Sequence, residues 1–324
     1  MKAVIPVAGI GKRLRPHTFT IPKALLNVAG KPILGHIVES LISMGVEELI
    51  PIIGYKGELI KEYLESSFDL PMKFVEQEDP RGIAHAVSLT RDYGYDEELV
   101  IILGDTIIDT DFSEIPEAGD YVLGVREVDD PRRFGICLVE RGRIKRIVEK
   151  PDEPVGKLAI VGLYYFKNSS PLYDACDEII EKGITTKGEY QITDALQMMV
   201  EKGIEFVPFR IEGWYDCGKV ETLLETNRVL LEKAGTGTSC DGCIIIPPCY
   251  IDGKSRVENS ILGPYVSVAA GCEIRNSIIE NSILNEGSKL ENVILEGSVV
   301  GAYAEVTGRR SSFNVSDYSQ IDYR

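Results

Sequence analysis

The sequence feature that most constrains the fold is a loose repeat in the last quarter of the chain. Short aliphatic runs recur there at multiples of about five or six residues, with Gly, Asn and Ser between them. The clearest copies are ENSILG, RNSIIE, ENSILN and ENVILE, which begin at Glu258, Arg275, Glu280 and Glu291. Because one copy cannot bury its apolar side chains alone, such repeats predict a solenoid of stacked parallel coils. About four coils of about 18 residues would fit between residues 240 and 310, and an irregular β-sandwich is the alternative.

The chain before residue 235 has a different pattern, in which short apolar runs alternate with amphipathic helical stretches. The predicted strands are KAVIPV from Lys2, ELIPII from Glu48, MKFVEQ from Met72 and LVIILGD from Leu99. The predicted helices are ILGHIVESLISMG from Ile33, GELIKEYLESS from Gly57, IAHAVSLTRDYG from Ile83 and VETLLETNRVLLEKAG from Val220. This alternation predicts an α/β fold with a Rossmann-like, mostly parallel sheet. Ligands of such sheets bind beyond the carboxyl ends of the strands, where Ala8 and Gly104–Asp105 fall.

The change of pattern divides the chain into two predicted domains, residues 1–235 and residues 236–324. The stretch AGTGTS between them is typical of a linker. Four coils are few for a free-standing solenoid, so one end needs cover from the first domain or from another subunit. We therefore expect a homo-oligomer, with residues 309–324 forming either an ordered cap or a loose tail.

The overall charge limits the partners. A formal net charge of −16 creates a field that repels nucleic acid and anionic membranes, so neither is expected as a partner. No run of about 18 apolar residues predicts a membrane span. The seven scattered cysteines favour reduced thiols and a cytoplasmic location. Cys240 and Cys243 have the spacing of half a zinc site, but the second half is missing and no structural zinc is predicted.

Although the chain is acidic, its first 38 residues contain six basic residues and no acid, which predicts an anionic ligand there. Three kinds of phosphate-binding loop follow a strand as the segment AGIGKR does. The P-loop spacing is absent. The dinucleotide fingerprint begins with Gly9 and Gly11 but has Leu14 in place of its third glycine, and no ribose-binding acid follows. What remains is a glycine turn that brings backbone N–H groups to a phosphate, with Lys12, Arg13 and Lys23 adding charge; a solvated basic face is the alternative.

The same segment carries a resemblance to a known family. The stretch AGIGKRLRPHTFTIPKALLNVAGKPIL resembles the signature of the sugar-1-phosphate nucleotidylyltransferases, G-x-G-x-R-L-x-P followed by P-K-x-L and K-P. Counterparts of EQEDPRGIAHAV, GDTI, FGICLVE, VEKP, AIVGLYYF, GEYQITDAL and WYDCG follow in the same order. By these motifs the chain is most similar to glucose-1-phosphate thymidylyl- and uridylyltransferases. The repeat region resembles the left-handed parallel β-helix of the long thymidylyl members.

The resemblance implies a nucleotide site and a catalytic pair. Arg13 and Lys23 would be the catalytic residues that neutralise charge around the reacting phosphorus. The implied nucleotide-binding residues are Ala8, Gly9, Gly11, Gln77, Gly82 and Asp105. In this group Gln77 would read the pyrimidine edge, and Gly82 would lie against the base. Asp105 and Asp216 would hold Mg²⁺, the implied cofactor.

The resemblance also implies a sugar-phosphate site made of Gly135, Glu149, Lys150, Gly162, Tyr164 and Trp214. Glu149 would bind sugar hydroxyls, Lys150 the phosphate, and Trp214 would form a wall of the pocket. Three departures from the thymidylyl pattern bear on the nucleotide. The loop before Arg13 is one residue shorter, as in uridylyl members, Lys12 stands where Thr is usual, and Cys217 stands where Thr often follows the metal-binding Asp.

The implied reaction joins two small-molecule substrates. A sugar-1-phosphate, by default glucose-1-phosphate, attacks the α-phosphorus of dTTP or UTP and releases pyrophosphate. The attacking phosphate is already ionised, so no general base is needed, which suits a chain with only three histidines. The alternatives are a non-catalytic subunit that binds sugar nucleotides and a guanylyltransferase acting on mannose-1-phosphate. An acyltransferase in the repeat is disfavoured, because no histidine follows His85.

Overall fold

A computed structural model describes residues 1–235 and 242–308. The strands of its first part are β1 Lys2–Pro6, β2 Asn27–Val28, β3 Lys31–Pro32, β4 Glu48–Ile53, β5 Val75–Glu76, β6 Leu99–Ile102, β7 Thr106–Asp109, β8 Tyr121–Glu127, β9 Gly135–Glu140, β10 Arg143–Glu149, β11 Leu158–Phe166, β12 Val207–Arg210 and β13 Gly213–Asp216. Its helices are α1 Ile33–Ser43, α2 Gly57–Ser67, α3 Ile83–Ser88, α4 Arg91–Gly94, α5 Glu114–Ala118, α6 Ser170–Glu181, α7 Ile192–Glu201 and α8 Val220–Ala234. Short 3₁₀ turns occupy Lys12–Leu14, His17–Phe19, Lys23–Leu25 and Pro131–Arg133.

The main sheet has nine strands, seven of them in the order β10-β9-β11-β6-β1-β4-β5, with β8 on β11 and β12 on β8. β1 pairs in parallel with both β4 and β6, and β4 pairs in parallel with β5. On the other side of β6, β11 pairs in antiparallel orientation with β6, β8 and β9. The carboxyl ends of β1, β4, β5 and β6 therefore meet at one edge, which is where the predicted loop after β1 lies.

Most of the strands and helices that a dense apolar pattern predicts are present in the structure. The strand Glu48–Ile53 and the helix Gly57–Ser67 have the predicted bounds. The stretch predicted as one helix from Ile83 is instead divided into α3 and α4. The reason is Thr90, which is fully buried. Its hydroxyl donates to the Val87 carbonyl at 2.7 Å and contacts the Tyr173 hydroxyl at 2.8 Å. This side-chain bonding competes with the helical ladder.

The core of this part lies between the sheet and its helices. Aliphatic side chains of β1, β4 and β6, including Val4, Ile50 and Ile101, are fully buried. At the other side of the sheet Tyr121 and Phe206 pack edge to face with ring centroids 5.8 Å apart. A strand that is covered on both faces must be apolar throughout, which explains the continuous LVII sequence of β6.

The repeat forms four coils, as predicted. Its strands are β14 Ile244–Ile245, β15 Cys249–Ile251, β16 Arg256–Glu258, β17 Ile261–Leu262, β18 Val266–Val268, β19 Glu273–Arg275, β20 Ile278–Glu280, β21 Ile283–Leu284, β22 Lys289–Glu291, β23 Ile294–Glu296, β24 Val299–Val300 and β25 Glu305–Thr307. Every third strand stacks in parallel, which gives three four-stranded sheets. The register joins Ile244, Ile261, Ile278 and Ile294, so a coil has 16 or 17 residues, slightly fewer than expected. This arrangement is consistent with a left-handed parallel β-helix.

Asparagine marks the corners of these coils. The Asn of each ENS, RNS or ENV copy follows directly after a strand and has a left-handed backbone: Asn259, Asn276, Asn281 and Asn292 have φ between 42° and 58°. Asparagine adopts this conformation more readily than other non-glycine residues, because its short side chain bonds locally. The following serines stack between coils, and Ser260 Oγ accepts a hydrogen bond from the Ser277 backbone at 3.1 Å. The repeat motif thus specifies where the chain turns.

The chain forms two compact units. The first contains Met1–Asn27 and Lys31–Thr226, and the second contains Val28–Gly30 and Asn227–Arg324, of which 227–235 and 242–308 are described. The division at residue 235 stays a prediction, because α8 contributes to both units. The linker after Gly235, the thiol of Cys240 and the tail 309–324 lie outside the described residues. Among the helices described, none is long and apolar enough to cross a bilayer.

A substitution at one corner tests the role of the asparagines. Asn276 has φ 50°, so Asn276→Val should lower the free energy of unfolding by about 1–2 kcal/mol, because a β-branched residue is strained there. Asn276→Gly is the matched control and should unfold close to the unaltered chain. Thermal unfolding of the full chain measures both. Equal midpoints for the two variants would contradict this account.

Candidate active site

The loop after β1 borders a cavity of about 430 Å³ at the carboxyl edge of the parallel strands. All residues that the resemblance assigned to nucleotide binding and catalysis line it: Ala8, Gly9, Gly11, Arg13, Lys23, Gln77, Gly82 and Asp105. Lys12 also lines it, which brings three basic side chains to one space. The structure thus brings these residues together, while their individual roles stay predictions.

Gly11 permits the tight turn of this loop. Its φ of +68° is left-handed, and a Cβ there would come within 3.0 Å of Lys23 Cβ and 3.1 Å of Thr18 Cγ2. Thr18 Oγ1 also donates a hydrogen bond to the Gly11 carbonyl at 2.9 Å. A side chain at this position would therefore meet both backbone strain and a steric clash, and the loop would move away from Lys23.

Lys23 and Asp105 form an ion pair across the cavity. The Lys23 Nζ lies 2.8 Å from Asp105 Oδ2, and the lysine is only 8% exposed, whereas the aspartate side chain is 44% exposed. Lys23 comes from the 3₁₀ turn Lys23–Leu25, and Asp105 lies between β6 and β7. The pair therefore joins the basic loop to the end of a central strand.

Asp216 is brought next to Asp105 by a short antiparallel pair of strands. β13 pairs with β7 so that Asp216 stands opposite Thr106, and the Cys217 amide donates to the Asp105 carbonyl at 3.2 Å. Arg13 reaches the same place, since a Cβ on Gly218 would lie 2.7 Å from Asp216 Oδ1 and 2.9 Å from Arg13 Nη2. Two carboxylates and a guanidinium therefore converge beside a glycine that leaves room for them.

The far wall of the cavity contains a buried polar cluster. Gln77 follows β5, and its backbone N–H donates to the Ile53 carbonyl at 2.8 Å, which fixes it at the strand edge. The side chains of Gln77 and His85 are adjacent and only 8% and 7% exposed. Gly82, with φ +116°, packs so closely against the Tyr190 backbone that a Cβ would overlap it. The sequence motifs predicted no role for His85.

A second cavity, of about 540 Å³, contains the predicted sugar-phosphate residues. Gly135, Glu149, Lys150, Gly162, Tyr164, Trp214, Asp105 and Asp216 all line it. Glu149 Oε2 accepts a hydrogen bond from Thr193 Oγ1 at 2.8 Å, and its Oε1 lies 3.1 Å from Lys150 Nζ. The carboxylate of Glu149 is therefore held at a fixed orientation in the cavity wall.

Burial determines the ionisation of two further groups. Burial, with a smaller contribution from the Glu149 carboxylate, raises the pKa of Tyr164 far above its usual range, so its phenol is a neutral hydrogen-bonding group. Burial also raises the pKa of Cys217 to about 12, so this thiol next to Asp216 is not a nucleophile at neutral pH.

Several lining residues were not identified from the sequence. Phe134 packs edge to face on Trp214 with ring centroids 5.0 Å apart, and the two rings form one wall. Thr193 orients Glu149, and Arg132 and Arg133 add positive charge. Phe134 and Thr193 lie inside or next to the motifs FGICLVE and GEYQITDAL. That position was the available signal, although a single sequence does not show which motif residues face a ligand.

The two cavities share Arg13, Ile83, Leu103 and Asp105 in their linings. They are therefore adjoining spaces with a cation and a carboxylate at the junction. Such an arrangement can hold two anionic ligands whose charged ends meet beside Arg13. Carboxylate oxygens of Asp105 and Asp216 are ligands that a hard cation prefers. Among the residues described, no group of three or more His, Cys, Asp or Glu side chains is placed to hold a metal by itself.

Comparison with known proteins gives the class of protein that this fold and site define. Residues 2–233 match the family described as Nucleotidyl transferase, and the chain belongs to this family. Residues 227–318 match the family described as GlmU-like, C-terminal hexapeptide. The predicted fold class, a nucleotidyltransferase domain followed by a hexapeptide β-helix, is confirmed by these matches.

Individual relatives are similar over the same range. The chain is 34% identical to the low-salt glycan biosynthesis nucleotidyltransferase Agl11 of Haloferax volcanii over 99% of each chain. It is 31% identical to the glucose-1-phosphate thymidylyltransferase of Streptomyces griseus, over 95% of this chain and 94% of that protein. It is 32% identical to the UTP–glucose-1-phosphate uridylyltransferase AglF of Haloferax volcanii, over 74% of this chain and all of that protein.

The Lys23–Asp105 pair should contribute measurably to stability. Asp105→Ala leaves a buried lysine charge without its partner and should lower the free energy of unfolding by about 1–2 kcal/mol; solvent around the aspartate keeps this below the cost at a fully buried pair. Adding Lys23→Met should recover part of the loss. Urea unfolding of the three proteins measures the coupling.

The exposed pair Lys167–Asp120, with both side chains 67% exposed, is the matched control. Asp120→Ala should change the free energy of unfolding by less than about 0.5 kcal/mol. If Asp105→Ala were no more destabilising than Asp120→Ala, the ion pair would not organise the site.

Proposed function

We propose that this chain transfers a nucleotidyl group from a nucleoside triphosphate to a sugar-1-phosphate and releases pyrophosphate. The single observation that carries the proposal is the pair of adjoining cavities that share Arg13 and Asp105. One space has the basic glycine loop suited to a triphosphate, and the other has the polar wall suited to a sugar phosphate. The relatives named glucose-1-phosphate thymidylyl- and uridylyltransferase support glucose-1-phosphate with dTTP or UTP as the substrates.

The first cavity would bind the triphosphate and the base. The backbone around Gly9 and Gly11 approaches the phosphates without side chains in the way, and Arg13 and Lys23 neutralise their charge. At the opposite wall Gln77 would pair with the pyrimidine, and Gly82 would allow the base to lie close. Uracil and thymine differ by one methyl group, which a pocket discriminates by about 1–3 kcal/mol. The choice between dTTP and UTP therefore needs measurement.

The second cavity would hold the sugar phosphate. Glu149, oriented by Thr193, would accept hydrogen bonds from sugar hydroxyls, and Lys150 beside it would attract the phosphate. Trp214 and Phe134 offer an aromatic wall for the ring of the sugar. Gly135 leaves room for Thr193 and Glu149, and Gly162 leaves room for Leu103, since a Cβ at either glycine would crowd those side chains. This arrangement would point the phosphate toward Arg13 at the junction.

Asp105 and Asp216 would hold Mg²⁺ together with oxygens of the phosphates. The donor set fits, because Mg²⁺ is usually bound by one or two carboxylates plus substrate phosphates rather than by a full set of protein ligands. The carboxylates of Asp105, directly before β7, and of Asp216, at the end of the paired strand β13, meet that requirement. When bound, Mg²⁺ supplies positive charge next to the phosphate oxygens.

The protein's own contribution to the reaction is positioning and charge. The two cavities would orient the sugar phosphate for in-line attack on the α-phosphorus, a gain that replaces a collision in solution. Arg13 and Lys23 would stabilise charge that develops on the α-phosphoryl oxygens. The attacking phosphate is ionised at neutral pH, so no residue needs to remove a proton from it.

Self-association and a cytoplasmic location stay proposals. The observation that supports self-association is a column of outward-facing isoleucines on one sheet of the repeat. Ile244, Ile278 and Ile294 are stacked in register and are 59%, 44% and 80% exposed. Aligned apolar side chains of this kind favour contact with another apolar surface.

A substrate panel tests the proposed function. dTTP, UTP, CTP, GTP and ATP would each be combined with glucose-1-phosphate, galactose-1-phosphate or mannose-1-phosphate and Mg²⁺, and pyrophosphate release would be measured. The expected result is highest turnover with dTTP or UTP and glucose-1-phosphate, and loss of turnover after chelation of Mg²⁺. Absence of pyrophosphate with every pair would refute the proposal and favour a subunit that only binds. Preference for GTP with mannose-1-phosphate would change the substrates but not the reaction.

Arg13 should matter far more than its neighbour Arg15. Arg13→Ala should reduce kcat/KM roughly 100- to 1000-fold, since it removes one strong electrostatic donor worth about 3–4 kcal/mol at the transition state. Arg15 stacks on Phe19, 4.8 Å from the ring centroid, and is absent from both cavity linings. Arg15→Ala should change kcat/KM less than about threefold. Similar losses in both variants would remove Arg13 from the proposed role.

A further inference from the structure

His85 lies behind Gln77 and is in contact with Arg81 on its other side. The Gln77 amide is 3.2 Å from His85 Nδ1, and Arg81 Nη2 is 2.6 Å from His85 Nε2. The imidazole is 7% exposed, so water has little access to either ring nitrogen. The three side chains therefore form a continuous chain from the protein surface to the predicted base-reading amide.

The donors and acceptors of this chain allow one arrangement. A guanidinium has only donors, so Nε2 of His85 must accept the hydrogen bond from Arg81 and carries no proton. Burial, with the adjacent Arg81 charge, lowers the pKa of His85 below its usual value, and the ring is neutral at neutral pH. A neutral imidazole has one proton, which must then be on Nδ1. The Nδ1–H donates, so the amide atom of Gln77 that faces it must be the oxygen Oε1.

The structure places Nε2 of Gln77 against His85 Nδ1, at 3.2 Å, and the arrangement above differs from it only by a rotation. A half-turn about the terminal bond of Gln77 exchanges Oε1 and Nε2 and leaves the shape of the side chain unchanged. It gives up the contact of Gln77 Nε2 with the Gly82 carbonyl, at 3.4 Å, and brings Oε1 to face that carbonyl oxygen, which still accepts from the Ala86 amide at 3.1 Å. At 3.4 Å the lost hydrogen bond is at its long limit and the two oxygens are not in close contact. The rotation therefore costs less than holding an amide N–H against the protonated Nδ1, where both groups are donors.

The orientation of this amide decides which bases it can read. Uracil and thymine present a donor at N3 beside a carbonyl acceptor, whereas cytosine presents an acceptor at N3 beside an amino donor. A carboxamide that is free to rotate matches either pattern, because a half-turn exchanges its donor and acceptor. A carboxamide whose oxygen is fixed matches only one of them, and the dTTP or UTP of the proposed function makes it the pattern of uracil and thymine. Discrimination against cytosine thus requires something that holds Gln77.

We propose that Arg81 and His85 are positioning residues that fix the Gln77 amide, with Oε1 toward His85, and so make the site selective for uracil or thymine over cytosine. The inference rests on the proposed function, in which Gln77 contacts the base. Arg81 determines the tautomer of His85, and the Nδ1–H of that tautomer determines the orientation of the Gln77 amide. Both act through Gln77, without touching the nucleotide.

The tautomer can be measured without any turnover. The chain has three histidines, so ¹⁵N NMR of histidine-labelled protein is simple, and the His85 signals are those lost in His85→Asn. The expected spectrum has a protonated Nδ1 and an unprotonated Nε2 in the unaltered chain. Arg81→Leu should shift the ring toward the Nε2–H form. A protonated Nε2 in the unaltered chain would overturn the proposal.

Selectivity is the second readout. In Arg81→Leu the ratio of kcat/KM for dTTP or UTP to that for CTP should fall about tenfold or more, because the amide regains its freedom. Arg81→Lys, which keeps a side chain with donors only, should retain most of the selectivity. Asp79→Asn is the matched control: it removes the 3.7 Å ion pair of Arg81 but leaves its contact with His85. Its ratio should stay close to that of the unaltered chain.

The outcomes are distinguishable. Equal losses for all three nucleotides in Arg81→Leu would indicate a structural role only and would overturn the proposal, as would an unchanged ratio. Failure of the unaltered chain to use any nucleotide would refute the proposed function instead, and the NMR measurement would still decide the tautomer. A drop in selectivity that Arg81→Lys does not restore would assign the effect to the shape of Arg81 rather than to its donors, against the proposal.

Discussion

The ion pair between Lys23 and Asp105 is the interaction on which the rest of the site depends. It joins a basic loop near the start of the chain to the end of a central strand 82 residues later. Charge of this kind is costly to bury without a partner, so the pair holds the loop over the cavity before any ligand arrives. The neighbouring strand pair β7–β13 then places Asp216 at the same point, and Gly218 leaves room for Arg13. Residues that are predicted to bind the substrates thereby meet around one junction, although they come from distant parts of the chain.

The local pattern of apolar residues was enough to predict the main strands, helices and coils. β4 and α2 were predicted with their observed bounds, because five apolar positions in a row after Glu48 and a regular amphipathic spacing each favour one structure. The four coils of the repeat followed from its self-similarity, and left-handed asparagines at the corners explain why the motif recurs. The motifs that carried the family resemblance also named residues that the fold brings into two adjoining cavities.

The features that were missed depend on contacts between distant residues. The break between α3 and α4 arises from Thr90 and its contact with Tyr173, 83 positions later, and nothing near Thr90 in the sequence indicates it. Thr193 and Phe134 acquire their places through Glu149 and Trp214 in the same way. The proposed roles of Arg81 and His85 depend on the donors and acceptors around the imidazole, which only the fold brings together. Periodicity carries no such information.

The residues that the two cavities share have a consequence for the rate of the proposed reaction as product accumulates. Because Arg13 and Asp105 border both spaces, a sugar nucleotide formed there would extend across the boundary and occupy both at once. Neither fresh reactant could enter until that elongated molecule had departed. Accumulated product would thus act as a brake on its own synthesis, without any separate regulatory pocket.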